Sequence, residues 1–124
     1  MANIKTILVI DDDKIQCSIV KARLGTKDGF KVNTAFDGAA GLKIARKKPP
    51  DLILLDWMMP ELDGLQVLQK LKSNRKTAKI IVFMFTAKNM MGDVEDAIAL
   101  GAEGYFTKPV DLGLLSTRVR EALA

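Results

Sequence analysis

Short apolar runs alternate along this chain with longer stretches in which apolar residues recur at helical spacing. The runs at 6–10, 52–55 and 79–85 are almost continuously apolar, which favours strands buried on both faces. The run at 30–36 alternates apolar and polar residues, so it predicts a strand at a sheet edge. A fifth run, short and containing two aromatic residues at 104–107, predicts the last strand.

Helical spacing follows each of these five strands. In the first helix, near 14–24, Ile15, Ile19 and Ala22 share one face, and Val20 and Leu24 lie beside it. The remaining helices are predicted at 38–47, at 64–72, around the stripe Val94, Ala97, Ile98 and Gly101, and around the stripe Leu112, Leu115, Val119 and Ala122.

Regular alternation of strand and helix predicts an α/β fold, a (βα)5 doubly wound parallel sheet with helices on both faces. No repeat or linker interrupts the pattern, so we expect one domain over residues 1–124. An edge position for the second strand favours the strand order 2-1-3-4-5. Ligands of such sheets bind at the carboxyl ends of the strands.

Polar residues stand at four of those strand ends. Three consecutive carboxylates follow the first strand, and single polar residues end the third, fourth and fifth: Asp11, Asp12, Asp13, Asp56, Thr86 and Lys108. In the predicted order these four strands are neighbours, so the side chains should converge on one rim of the sheet.

Adjacent carboxylates repel, by about 4 kcal/mol for unit charges about 4 Å apart at an effective dielectric of about 20. A carboxylate can stay protonated, the groups can point apart, or a cation can bind. We expect Asp13 to be a helix N-cap. For Asp11, Asp12 and Asp56 we favour a divalent cation, Mg²⁺ or Mn²⁺, because the donors are all oxygens.

Lys108 is a natural counter-ion for these carboxylates and is able to hold a phosphoryl oxygen. Thr86 fits a hydroxyl donor to the same group, although Thr is common in strands for structural reasons. Pro109 follows Lys108 and is a candidate for a cis peptide bond, with composition alone favouring trans.

The composition fits a small globular protein and indicates its cell compartment and which partners are not expected. There is one cysteine, Cys17, so no internal disulfide is available and a reducing, cytoplasmic setting is expected. No apolar run is long enough to cross a bilayer, and the N-terminal residues lead into a strand without a signal-peptide pattern, so we expect no membrane association. The net charge of +4 comes from basic residues at 46–50 and 70–79, which we interpret as solvated loops, with no direct nucleic-acid binding expected.

The motifs together resemble the receiver domain of two-component response regulators, of the chemotaxis regulator type. The matching segments are Asp11–Asp12 after an apolar strand, "PDLILLDWMMPELDG" around Asp56, "TA" at Thr86, and "GAEGYFTKP" ending in Lys108. Their separations of 45, 30 and 22 positions also match, and the likeness covers essentially the whole chain.

The resemblance implies a flavodoxin-like fold and a phosphorylation-dependent signalling switch rather than an enzyme. Asp56 would accept a phosphoryl group, assisted by Lys108 and Thr86, while Asp11, Asp12, Asp56 and the backbone carbonyl of Met58 would bind Mg²⁺. Thr86 and Tyr105 would form the conformational switch. Independently of the resemblance, Met90 and Met91 at the start of the fourth helix are expected either to contact a partner or simply to be two flexible apolar residues exposed in a loop.

The resemblance also implies the partners. This chain has no histidine, so the phosphohistidine must come from a histidine kinase or a phosphotransfer protein, or be replaced by an acyl phosphate. The downstream partner or output domain is not encoded in any motif. A phosphorylation-dependent dimer is compatible with the family, although Leu114 replaces the glutamate of the DNA-binding subfamily's dimer seam.

Two other protein classes share part of this pattern. A haloacid dehalogenase-like Mg²⁺-dependent phosphatase would use the pair Asp11 and Asp13, but Ile15 stands where Thr or Val is expected and no later acidic pair follows. A flavodoxin is disfavoured because no Ser/Thr/Gly-rich phosphate loop follows the first strand.

Overall fold

The computed structural model of the chain describes residues 3–86 and 91–124. Within them, five strands form one parallel sheet in the order β2-β1-β3-β4-β5. The predicted fold class, strand order and edge position of the second strand are therefore confirmed. The strands are β1 (Thr6–Ile10), β2 (Lys31–Ala35), β3 (Leu52–Asp56), β4 (Ile81–Thr86) and β5 (Gly104–Thr107), and the helices are α1 (Lys14–Lys21), α2 (Gly38–Lys47), α3 (Gly64–Lys72), α4 (Met91–Ala99) and α5 (Leu112–Ala122).

The helices cover both faces of the sheet and divide the core into two layers. On one face α2, α3 and α4 pack through Leu42, Leu68 and Ala97, among others. On the other face α1 and α5 pack through Val20 and Val119. Because β1, β3 and β4 are covered on both sides, their side chains are almost all buried, as continuous apolar runs require.

Only part of the predicted apolar surface of the first helix is buried. Val20 of α1 and Leu24 just beyond it pack on the sheet together with Cys17, while the Ile15 side chain is 74% exposed and Ile19 is 44% exposed. This helix carries two apolar stripes, so periodicity alone could not decide which of them faces the core. The chain also continues past the predicted helix end as a π-helical segment, Ala22–Lys27.

The predicted stripe of α4 is half right. Val94 and Ala97 are buried, but Ile98 is 56% exposed. Gly101 lies beyond the helix with a φ of 106°, a left-handed conformation that suits glycine after a helix C-terminus. The prediction for the Met90 and Met91 side chains lies outside the described part of the chain.

Candidate functional site

Three carboxylates meet at the carboxyl edge of the sheet, as the strand ends predicted. Ligand oxygens of Asp11, Asp12 and Asp56 lie within 4.8 Å of one another. Asp11 is 0% and Asp56 4% exposed, whereas Asp12 faces solvent. The site therefore has two carboxylates in the protein interior and a third at its mouth.

Lys108 joins the two buried carboxylates, although it lies 97 residues after Asp11. Its Nζ is 3.1 Å from Asp11 Oδ2 and 3.1 Å from Asp56 Oδ1. One ammonium group thus offsets part of the repulsion between the two carboxylates. Two negative charges still face one positive charge inside the site, and Asp12 adds a third negative charge at the mouth.

Local hydrogen bonds fix the first strand end and separate its three aspartates. The backbone N–H of Asp11 donates to Ala35 O of β2 (3.0 Å), and the backbone N–H of Asp13 donates to Asp11 Oδ1 (2.9 Å). The Asp13 carboxylate accepts from the backbone N–H groups of Ile15 and Gln16, which makes it the N-cap of α1 as predicted. Asp13 is consequently turned to the helix and is not one of the three clustered carboxylates.

The register between β3 and β4 places Thr86 next to Asp56 at the ends of the two strands. Asp56 is aligned with Phe85, and the backbone N–H of Trp57 donates to Phe85 O at 2.9 Å. The next residue, Thr86, is buried, and its carbonyl accepts from the backbone N–H of Lys108 at 2.7 Å. The strand ladder therefore brings Thr86, Asp56 and Lys108 to the same end of the sheet.

Gly64 is a requirement of the site that sequence reasoning missed. A Cβ at this position would lie 2.5 Å from the backbone oxygen of Asp56 and 2.7 Å from Trp57 Cα. Only glycine allows α3 to begin so close to the end of β3, where its N–H donates to Trp57 O at 2.8 Å. The signal was present in "LDGL", since Asp63 caps the helix immediately before this glycine.

Electrostatics raise the proton affinity of the central carboxylate. The pKa of Asp56 is raised to about 6, mainly by burial and also by the charge of Asp11, while the Lys108 ammonium acts to lower it. The pKa of Lys108 is also raised: its burial acts to lower it, but the bonds to Asp56 and Asp11 prevail. Lys108 is thus a cation at neutral pH, and Asp56 is largely ionised.

The donor set fits a hard divalent cation. All three clustered donors are carboxylate oxygens, and the site carries more negative than positive charge. Mg²⁺ prefers such ligands, usually taking one or two carboxylates and retaining water.

Three further predicted residues lie around the cluster. The Met58 side chain is exposed two positions beyond Asp56. Tyr105 lies in β5, with its side chain 39% exposed. The Lys108–Pro109 peptide bond is cis, so the preference for trans that composition suggested was wrong.

This fold and this rim define a receiver domain of two-component response regulators. The profile of the response regulator receiver domain family matches residues 7–120, and the chain belongs to that family. The haloacid dehalogenase alternative is not supported, and the proposed second member of its acidic pair, Asp13, is engaged as a helix cap.

Several known proteins are similar to the chain. The response regulator PleD of Caulobacter vibrioides is 41% identical over 92% of this chain and 25% of PleD. The DNA-binding dual master transcriptional regulator RpaA of Synechocystis is 40% identical over 94% of this chain and 48% of RpaA. This chain therefore spans between a quarter and a half of these relatives.

Solved structures agree with this assignment. The signal receiver domain of a DNA-binding response regulator from Colwellia psychrerythraea superposes with a TM-score of 0.89 at 30% identity. That match covers 96% of this chain and 98% of the other. Among the helices of the described residues, none is long and apolar enough to cross a membrane.

Proposed function

We propose that this chain is a single receiver domain, residues 1–124, in which Asp56 accepts a phosphoryl group and thereby switches a signalling surface. The observation that carries the proposal is the buried pair of carboxylates, Asp11 and Asp56, bridged by Lys108 at 3.1 Å on each side. One ammonium does not neutralise two carboxylates, so the site keeps a negative charge that would attract a divalent cation. The setting is the cytoplasm, where phosphohistidine proteins are available to it.

The proposed reaction transfers a phosphoryl group from a histidine kinase or phosphotransfer protein. An oxygen of the ionised Asp56 carboxylate forms the new O–P bond while the P–N bond to the donor imidazole breaks, and the electron pair of that bond stays on the imidazole nitrogen. Because this chain contains no histidine, it cannot provide the donor. An acyl phosphate can replace the protein donor, with a carboxylate as the leaving group.

Lys108 and Thr86 assist this transfer in the proposal. The Lys108 Nζ already contacts Asp56 Oδ1 and would follow the developing charge on the phosphoryl oxygens. Its positive charge also favours the ionised form of Asp56, which is the form that attacks. Thr86, at the end of the neighbouring strand, would donate its hydroxyl to a phosphoryl oxygen.

We assign the metal site to Asp11, Asp12, Asp56 and the backbone carbonyl of Met58. Bound Mg²⁺ or Mn²⁺ would supply positive charge to the phosphoryl oxygens during transfer and dephosphorylation. The carboxylate geometry supports the first three ligands, whose oxygens lie within 4.8 Å of one another. The Met58 carbonyl is added on the resemblance to the family.

The output of the proposed switch is the surface formed by α4, β5 and α5. Phosphorylation would draw Thr86 toward the phosphoryl group and let Tyr105, now partly exposed in β5, turn inward. The altered surface would control a partner or an output domain, and a phosphorylation-dependent dimer is one form that such control can take. The similar protein RpaA is a DNA-binding transcriptional regulator.

Incubation with Mg²⁺ and acetyl phosphate, followed by intact mass measurement, tests the proposal. One phosphoryl group should be added to the chain and to Asp13→Asn, because asparagine is an equally good N-cap. Addition should be lost in Asp56→Asn. Continuous release of phosphate at high turnover would instead indicate a phosphatase and overturn the proposal.

The metal assignment has its own readout in Trp57, the only tryptophan and the residue next to Asp56. Mg²⁺ should change its fluorescence, and Asp12→Asn should weaken the response. A fluorescence signal that Mg²⁺ leaves unchanged would contradict a metal site at this position.

A further inference from the structure

Two basic segments that are 24 positions apart in the chain, at Arg46 and Lys70, line one groove in the folded protein. The groove has a volume of about 610 Å³ and lies between the end of α2 and the loop after α3. Four cations and two neutral polar side chains line it: Arg46, Lys70, Arg75, Lys76, Ser73 and Asn74. From the sequence we interpret these segments as separate solvated loops and expect no direct nucleic-acid binding, but the fold brings them together and reopens that question.

The groove cations lack acidic partners in the described part of the chain. Lys72, close by in α3, forms a salt bridge with Glu103, and Lys108 binds two aspartates. By contrast, none of the four groove cations forms a salt bridge with a described residue, and no carboxylate lines the groove.

Helix dipoles explain only part of this clustering. Arg46 and Lys70 lie in the last turns of α2 and α3, where positive side chains stabilise the helix C-terminus. Arg75 and Lys76 lie beyond the end of α3, so this effect does not account for them. The repulsion among the four is relieved if an anion occupies the groove.

The position of the groove separates it from the phosphorylation site. Helices of a parallel α/β sheet run opposite to the strands, so their C-termini lie at the edge away from Asp56. The clustered carboxylates and the groove therefore lie at opposite edges of the sheet. A polyanion approaching it would be repelled by Asp11 to Asp13 and attracted to the groove.

We propose that this groove binds the phosphodiester backbone of double-stranded nucleic acid without reading its sequence. Guanidinium groups, ammonium groups and amide donors such as Asn74 are usual protein contacts to phosphate, whereas the Ser73 hydroxyl already donates to Lys70 O at 3.3 Å. No aromatic side chain lines the groove, so it offers no platform for stacking of unpaired bases. Binding through backbone phosphates alone is weak and depends strongly on salt.

The number of phosphate contacts predicts how strongly the binding constant depends on salt concentration. Four phosphate contacts predict a slope of log K against log salt of about −3.6, or about 150-fold weaker binding between about 50 and 200 mM salt. Fluorescence anisotropy of a labelled DNA duplex, titrated with the full chain, measures this slope. Lys70→Gln combined with Arg75→Gln should reduce the loss over the same salt range to about 12-fold.

A matched control removes the same net charge elsewhere. Lys21→Gln with Lys27→Gln changes exposed residues at the end of α1 and in the following π-helical segment, on the other face of the sheet. This variant should keep the slope of the unmodified chain. All variants replace exposed side chains, and circular dichroism verifies that they fold.

Three outcomes would overturn the proposal. The first is no binding of the duplex even at about 50 mM salt. The second is an equal loss of slope in the groove and control variants, which would indicate diffuse attraction by net charge. The third is binding of polyglutamate that is as tight as that of DNA and equally dependent on Lys70 and Arg75, which would assign the groove to an acidic protein partner.

Discussion

Replacing Asp56 with asparagine should stabilise the metal-free protein, although it removes the proposed phosphoryl acceptor. Burial and the Asp11 charge raise the pKa of Asp56 from 3.8 to about 6 even with Lys108 beside it. Because this pKa is about 2 units higher in the folded than in the unfolded chain, ionisation of Asp56 lowers the free energy of unfolding by about 3 kcal/mol. An asparagine side chain at this position resembles the protonated form of Asp56, so the variant should avoid this cost.

The sign of the pH dependence follows from the direction of the shift. A carboxyl whose folded pKa is raised binds its proton more tightly when folded, so protonation stabilises the native protein. As pH falls from 7 through 6 to below 3.8, the unmodified chain gains stability relative to Asp56→Asn and the difference should vanish.

Urea denaturation in EDTA at about pH 7.5 measures the difference in the free energy of unfolding between Asp56→Asn and the unmodified chain. In a thermal scan the melting temperature of the variant should be higher by on the order of 10 °C for a difference of about 3 kcal/mol. Asp96→Asn, at an exposed carboxylate of α4, is the matched control and should leave stability within about 0.5 kcal/mol. Adding Mg²⁺ should stabilise the unmodified chain and have little effect on Asp56→Asn. An Asp56→Asn variant that is equally or less stable without metal would refute this account of the site.

Three other substitutions test separate parts of the structure. Lys108→Ala removes the charge that lowers the pKa of Asp56, so an NMR titration should place that pKa above about 6. The variant should also react more slowly with acetyl phosphate at neutral pH. An unchanged pKa would contradict the role of Lys108. Gly64→Ala should destabilise the protein by about 1–3 kcal/mol in urea denaturation because its Cβ meets backbone atoms, whereas Gly113→Ala, with its nearest neighbour at 3.4 Å, should not. Ile15 is 74% exposed and lies two positions after the Asp13 cap, so we expect it to contact a protein donor that approaches the carboxylates. Ile15→Ala should therefore slow transfer from a phosphohistidine protein but not from acetyl phosphate, and an equal loss with both donors would argue against this contact.

Much of the fold was predictable because its signals are local. Strand bounds, the edge strand and the Asp13 cap depend on apolar runs and on side chains that bond to nearby backbone groups. The strand ends also identified Asp11, Asp56 and Lys108 as neighbours, because strand order determines which ends meet. Local pattern was thus sufficient where one element or one sheet edge decides the outcome.

The features that were missed depend on contacts between distant elements. Two apolar stripes on α1 compete for the core, and only packing against the sheet selects Cys17 and Val20 over Ile15. The requirement for Gly64 depends on its distance from the backbone of Asp56. The basic groove likewise exists only because α2 and α3 end side by side.

Locating the phosphoryl group in the unmodified chain shows directly whether Asp56 is the acceptor. After reaction with acetyl phosphate and Mg²⁺, borohydride reduction converts an aspartyl phosphate to homoserine, and peptide sequencing by mass spectrometry identifies the position. We expect homoserine at position 56 and unmodified aspartate at Asp11, Asp12 and Asp13. Homoserine at any of those three positions, or none in a chain that has gained a phosphoryl group, would contradict this expectation.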